Sequence, residues 1–176
     1  MVLSVPVDYL KHEIFTAPLE RLQAAFNLEI KCISGGKTRH ESLLNARSLL
    51  DNKAKVTMIH DANRPYLTSE FCKGVNEAVK MLDHYDAVIP ILSMVDSICS
   101  INNEGEVTGY NDRSILKRIQ TPQLCKTSIL LSLPKHSGPT PTDEGSWFLS
   151  EGFRVGTYPG DAGNKKVTFK EDFTNE

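Results

Sequence analysis

Val56-Thr57-Met58-Ile59-His60-Asp61-Ala62-Asn63-Arg64-Pro65 passes within ten residues from an apolar run to a cluster of polar and charged side chains. Its first residues, β-branched and apolar, read as a short buried strand, which the chain leaves abruptly through His60, Asp61, Asn63, Arg64 and Pro65. In open α/β sheets, ligands sit beyond the carboxyl ends of the strands, so Asp61 and Arg64 at such an end form a candidate site. The alternative is a turn with an Asp cap and a surface ion pair.

Working outward, the flanking segments alternate. Residues 2–7 read as a strand, and residues 8–27 carry Leu10, Ile14, Leu19, Leu22 and Ala25 at helical spacing, with Pro18 expected to interrupt or begin the helix. Residues 29–33 read as a second strand running into Ser34-Gly35-Gly36-Lys37-Thr38-Arg39. Paired glycines let backbone amides approach a ligand, and Thr38, Arg39 and Ser42 stand at the start of a helix whose expected buried face is Leu43, Leu44, Ala46, Leu49 and Leu50. After a strand over 55–60, Thr68 or Ser69 can cap a helix that places Phe71, Val75, Ala78, Val79 and Leu82 on one side. Residues 86–92 are near-continuously apolar, as suits a strand covered on both faces. The alternation predicts an α/β fold, a three-layer Rossmann-like domain with a mostly parallel sheet.

Beyond residue 92 the rhythm breaks. Residues 97–101, the turn-like Asn102-Asn103-Glu104-Gly105 and residues 106–110 predict a hairpin that leaves the sheet. Gln120-Thr121-Pro122-Gln123-Leu124 leads into a further helix, and a loop with Pro134, Gly138, Pro139 and Pro141 ends at Thr142-Asp143-Glu144, where Thr142 can cap a helix and the acids favour its first turn. Residues 153–158 and 165–169 read as short strands around Pro159-Gly160-Asp161-Ala162-Gly163-Asn164.

The totals bound the class. With 176 residues and a formal charge of -2, the chain is long enough for one domain with a core and has no general electrostatic pull towards nucleic acid or anionic membrane. No apolar run approaches the roughly 20 residues needed to cross a bilayer. Cys32, Cys72, Cys99 and Cys125 are widely spaced in apolar segments, which predicts reduced core thiols and a cytoplasmic setting. Met1-Val2-Leu3-Ser4-Val5-Pro6 lacks the basic start of a signal peptide.

Taken in order, the loop residues form a series. Gly-Gly-x-x-Arg-x-x-Ser at 35–42, His-Asp-Ala-x-Arg-Pro at 60–65, Asp96-Ser97, Asp112-Arg113, Gln-Thr-Pro-Gln at 120–123, Thr-Asp-Glu at 142–144 and Asn164-Lys165-Lys166-Val167-Thr168 together resemble the cytidylyltransferases that activate polyol phosphates. The best-known members act on 2-C-methyl-D-erythritol 4-phosphate and close relatives on ribitol 5-phosphate. Ile91-Leu92-Ser93-Met94-Val95 looks nearer the ribitol type, whereas Thr142-Asp143-Glu144-Gly145-Ser146 leans towards the methylerythritol type.

The resemblance implies a single α/β domain over 1–176 with an arm at about 97–118 that clasps a second subunit, hence a homodimer. It implies transfer of CMP from CTP to a polyol phosphate with release of pyrophosphate and with Mg2+ on the triphosphate. By resemblance, Gly35, Gly36, Arg39 and Ser42 approach the cytidine nucleotide, and Asp61, Arg64, Ser97 and Thr142 hold the polyol phosphate. Arg113, reaching from the arm into the partner's site, and Lys166 aim the attacking phosphate. Lys117 and Arg118 are expected on a solvated basic face, and His60 is expected to be structural.

The family begins with a strand and a Gly-rich loop that grips the triphosphate, and this sequence starts at what would be the second strand. Losing one charge-stabilising donor typically costs about 10²–10³ in rate, so the chain as written is expected to be inactive or nearly so. Either the native enzyme carries a further strand, loop and helix upstream, or the chain is a shortened, non-catalytic paralogue that dimerises or binds a ligand.

Overall fold

The computed structural model describes residues 1–134 and 140–172. Gly138 and Pro139 of the expected loop lie outside the described residues. Along the chain run β1 (Val2–Val5), α1 (Glu13–Phe26), β2 (Lys31–Ser34), α2 (Arg39–Arg47), β3 (Val56–Ile59), α3 (Ser69–Val79), β4 (Ala87–Ser93), β5 (Ile98–Ile101), β6 (Val107–Asn111), β7 (Lys117–Ile119), β8 (Gln123–Lys126), α4 (Thr127–Ser132), α5 (Glu144–Ser150) and β9 (Val155–Pro159). Contacts cluster into two compact units, Met1–Lys55 with Lys126–Glu151 and Val56–Cys125 with Gly152–Glu176.

In the first unit β1 and β2 pair in parallel, Val2 opposite Lys31 through Val5 opposite Ser34, with α1 as the crossover. His12 Nδ1 accepts the Ile14 amide at 3.2 Å to start α1, and Asn27, in the left-handed region at φ 50°, ends it. Pro18 lies inside α1 and neither begins nor interrupts it, contrary to expectation: the cap and the flanking turns outweigh the one backbone bond that proline forfeits. Neither α1 nor α2 contributes a buried residue, so the expected faces of Leu19 and Leu22 and of Leu43, Leu44 and Leu49 are at most half-buried. Burial concentrates instead on α4 and α5, where Leu130, Trp147 and Phe148 are fully covered. α2 is tied to them by aromatic and polar contacts. The His40 ring meets Trp147 edge-on at 4.6 Å, and the Arg47 guanidinium lies 5.9 Å from the indole while donating to the carbonyls of Leu130 and Leu133.

The second unit is built on β4. Its residues Ala87, Val88, Ile89 and Pro90 are all buried, as expected for a strand covered on both faces. β9 pairs with it in parallel from Ala87–Val155 to Ile91–Pro159, while β8 and β7 pair with it antiparallel and β3 adds to β8. The parallel character therefore resides in β1–β2 and β4–β9, and the short returns at β7 and β8 make this sheet mixed. β8 was not anticipated; its residues Gln123, Leu124 and Cys125 are buried before α4 begins.

Thr68 Oγ1 accepts the Phe71 amide at 3.1 Å and starts α3, which lays Phe71, Val75 and Ala78 against Leu82, Val88, Leu124 and Tyr158. Full burial of each large apolar side chain contributes about 1.5–3 kcal/mol, so this cluster anchors the strand ends. Val79, expected on the buried face, is exposed because it sits beyond that stripe. The Tyr158 hydroxyl donates to the Pro122 carbonyl, and burial pushes its pKa well up.

β5 and β6 form the expected hairpin, antiparallel from Ile98–Asn111, with a register shift at Ser100/Ile101 and every residue of β6 exposed. Lys117 and Arg118, on β7, are exposed as expected. Residues 165–169 form no strand; Val167 instead exchanges hydrogen bonds with Asn63. Only Cys125 is a core thiol. Cys32, Cys72 and Cys99 are exposed, because they fall on the outward side of β2, α3 and β5. Among the described residues, no helix is long and apolar enough to cross a membrane.

Candidate active site

The loop between β2 and α2 is shaped by its own side chains. Thr38 Oγ1 accepts the Glu41 amide at 3.1 Å and caps α2, while Glu41 Oε2 accepts the Lys37 amide at 2.6 Å. Ser42 Oγ accepts the Gly36 amide at 3.0 Å and donates to the Thr38 carbonyl at 3.0 Å. The Gly35 amide donates to the Val5 carbonyl at 2.8 Å. Gly36 is demanded by close approach rather than by backbone angle, and Gly35 is tightly flanked. A Cβ on Gly35 would meet Ser42 Oγ at 3.2 Å and Ser4 Oγ at 3.3 Å, and one on Gly36 would overlap the Glu41 side chain. The loop borders a cavity of about 600 Å³, whose walls include Val5, Pro6, Ser34, Gly35, Gly36, Arg39 and Ser42.

Arg39 borders this cavity as the expectation of a nucleotide contact requires, but its guanidinium is already engaged. Its Nη1 and Nη2 both engage the Glu144 carboxylate, Nη2 to Oε2 at 2.8 Å. Glu144 is 3% exposed, and burial pushes its carboxyl above the usual range, outweighing the opposing pull of Arg39. Thr142 was expected to cap α5, but Asp143 does so: its carboxylate accepts the Ser146 amide at 2.7 Å while Ser146 Oγ accepts the Asp143 amide at 3.1 Å. The start of α5 is thus occupied by its own acid, so a helix end pointing at a ligand from Thr142 is not realised. Thr142 Oγ1 lies 3.4 Å from Ser146 Oγ.

The end of β3 assembles a second group. Asp61 Oδ2 lies 3.7 Å from Arg64 Nε and 3.6 Å from Lys166 Nζ, so two cations meet on one largely buried acid. Arg64 also donates through Nη1 to the Asn164 carbonyl at 2.9 Å. His60 is structural, as expected: Nε2 lies 3.0 Å from the Arg64 carbonyl, and Nδ1 lies 3.1 Å from Thr121 Oγ1, which in turn accepts the Asp61 amide at 3.0 Å.

The loop carrying Lys166 is pinned from several sides. Asn164 Nδ2 donates to the Thr121 carbonyl at 2.7 Å, Gln120 Nε2 donates to the carbonyls of Asp161 and Asn164, and the Val167 amide donates to the Asn63 carbonyl at 2.7 Å. Lys166 itself stays half exposed, available to an anion. Arg113 is not drawn into this group. Exposed at the base of the hairpin, it donates through Nη1 to the Val95 carbonyl at 2.5 Å. Ser97 is exposed at the entry to β5.

This order of loops at strand ends is matched independently. The family model described as "IspD: 2-C-methyl-D-erythritol 4-phosphate cytidylyltransferase" covers residues 13–176. The chain belongs to the IspD family. Similar proteins include the 2-C-methyl-D-erythritol 4-phosphate cytidylyltransferase of Symbiobacterium thermophilum, 32% identical over 146 residues, which make up 81% of this chain and 61% of that protein. The bifunctional enzyme IspD/IspF of Bradyrhizobium sp. BTAi1 is 31% identical over 147 residues, 81% of this chain and 37% of the relative. The matched stretch thus spans 61% and 37% of the length of these two relatives, less than two thirds of either.

The same architecture is seen in a solved 4-diphosphocytidyl-2C-methyl-D-erythritol synthase, with a TM-score of 0.74 and 26% identity over 97% of this chain and 77% of that one. The corresponding synthase of Anaerococcus prevotii has a TM-score of 0.77 at 22% identity, covers 97% of this chain and 76% of that one, and supports the α/β fold.

Within this IspD-family frame, several residues that position the site escape a reading of sequence alone. Gln120 and Asn164 are buried scaffolds of the Lys166 loop, and Glu144 reads as a helix-start acid yet is buried against Arg39. The available signal was their place within the motifs at 120–123, 142–144 and 164–168.

Proposed function

We propose that the protein transfers CMP from CTP to 2-C-methyl-D-erythritol 4-phosphate. A phosphate oxygen of the acceptor forms a bond to the α-phosphorus of CTP, the bond from that phosphorus to the bridging oxygen of the β-phosphate breaks, and pyrophosphate leaves with the electron pair. Little covalent chemistry falls to the protein in such a step; its work is alignment and neutralisation of negative charge.

The observation that carries this reading is the meeting of Arg64 and Lys166 on Asp61 at the end of β3, within the stretch that the family model matches. Lys166 faces the acceptor phosphate, Arg64 fixes Asp61, and Asp61 accepts from an acceptor hydroxyl. Arg113, on the exposed arm, supplies a further cation to the site of a second copy, so the active form is a homodimer. The exposed Ile101, Val107 and Tyr110 of the hairpin support such a clasp. Gly35, Gly36 and Ser42 border the cytidine pocket, while Thr142 and Ser97 contact the acceptor.

Magnesium belongs to this reaction as a companion of the triphosphate, neutralising its charge. Exposed free thiols at Cys32, Cys72 and Cys99 suit a cytoplasmic setting.

Label transfer tests the proposal. With CTP labelled at the α-phosphorus, the native gene product is expected to move label into a product retaining methylerythritol, and ribitol 5-phosphate should serve poorly. Transfer to ribitol 5-phosphate alone would reassign the acceptor, and no transfer to either would leave a non-catalytic module.

A further inference from the structure

We propose that Arg39 is a positioning residue and not a nucleotide ligand: its two-pronged pairing with buried Glu144 holds the glycine loop at 35–38 in register with the Thr142-Asp143 segment. The inference rests on the reading above, in which the first segment meets cytidine and the second meets the acceptor.

The two partners occupy corresponding places. Arg39 is the first residue of α2, directly after the loop whose Gly36 and Lys37 amides are held by Ser42 Oγ and Glu41 Oε2. Glu144 is the first residue of α5, directly after Thr142 and its capping neighbour Asp143. A displacement of either helix start therefore carries a substrate-contacting segment with it. Both Nη atoms of Arg39 are directed at the carboxylate, leaving a planar fork that fixes orientation as well as distance.

Three further observations make this a built coupling rather than a surface ion pair. Glu144 is 3% exposed, so its carboxylate depends on Arg39 for compensation. The next residue of α2, His40, meets Trp147 one turn along α5. The far end of α2 is anchored by Arg47 over the same indole and onto the α4 carbonyls. The helices are thus joined at both ends of α2. Only the Arg39 end borders substrate loops.

The test uses the native gene product, Glu144→Gln and the milder Arg39→Lys, compared by amide hydrogen exchange, CTP titration and turnover. Glu144→Gln keeps shape but removes the charge that holds the fork. Exchange at Gly36 and Lys37 should speed up by about tenfold or more, with Arg39→Lys intermediate because it retains the charge and loses the fork. Turnover should fall about 30-fold through misalignment. CTP affinity should change by less than about threefold, since no nucleotide contact is removed.

Unchanged exchange at Gly36 and Lys37 in either folded variant would overturn the proposal, as would loss of CTP affinity in step with turnover in Arg39→Lys, which would make Arg39 a ligand. If the native protein transfers no label, the functional reading fails while the exchange comparison still decides whether the pair couples the two segments.

Discussion

The glycine loop at 35–42 and the strand end at 60–65 are held in opposite ways. In the loop, every described bond that shapes residues 36–38 comes from within six residues: Thr38, Glu41 and Ser42 supply the acceptors. At the strand end, the shape comes from far along the chain, with Thr121, Asn164 and Val167 bonding to residues 60–64 across 60 to 104 positions. The first device is a local motif with its own cap. The second is a knot of polar groups that exists only once the surrounding sheet has formed, with Arg64 largely buried in it and Lys166 carried on a pinned loop.

The contrast can be broken most sharply at the cations. Lys166→Ala and Arg113→Ala should each lower turnover by about 10²–10³ while CTP binding stays near native, because each removes charge stabilisation without touching the nucleotide loop. Steady-state kinetics beside CTP titration checks this, and near-native turnover would withdraw the residue's role.

Leu124→Ala, in the fully buried cluster behind the strand end, should cost about 2–5 kcal/mol by denaturant unfolding. Leu43→Ala, on half-buried α2, should cost less than about 1 kcal/mol. Equal losses would mean that the two regions are not supported differently.

Gly36→Ala forces a Cβ into Glu41 and should weaken CTP about tenfold, leaving acceptor affinity within twofold. The smallest effect on the fold should follow shortening of the turn at 102–105, whose Gly105 adopts φ 85° and has open space where a side chain would stand. Circular dichroism should be unchanged while light scattering shows a shift towards monomer; an unchanged dimer mass would remove the arm from the interface.

The same division governs what could be read in advance. Local devices were legible: the glycine pair, the Thr68 cap, the apolar β4 and the hairpin turn each depend on residues within a few positions of one another. Asp61, Arg64 and Lys166 could be nominated as a series, but only the folded sheet shows that Gln120 and Asn164 pin the loop carrying Lys166. Residues 165–169 alternate as a strand would, yet Asn63 takes their hydrogen bonds before any neighbour strand can. Asp143 displaced Thr142 as the cap because Ser146 reciprocates its bond, a choice between adjacent candidates that spacing does not rank. Arg39 and Glu144, 105 positions apart, read separately as a ligand and a helix-start acid, and only burial makes them a pair.

In the proposed function, the cations gathered at the end of β3 drive transfer of CMP to a methylerythritol phosphate. Pyrophosphate release from CTP by the native gene product, beside its Lys166→Ala variant, tests it most directly. Steady release with 2-C-methyl-D-erythritol 4-phosphate is expected, with a loss of about 10²–10³ in the variant at unchanged CTP affinity. Absence of release in the native protein, or release by Lys166→Ala at the native rate, would contradict it.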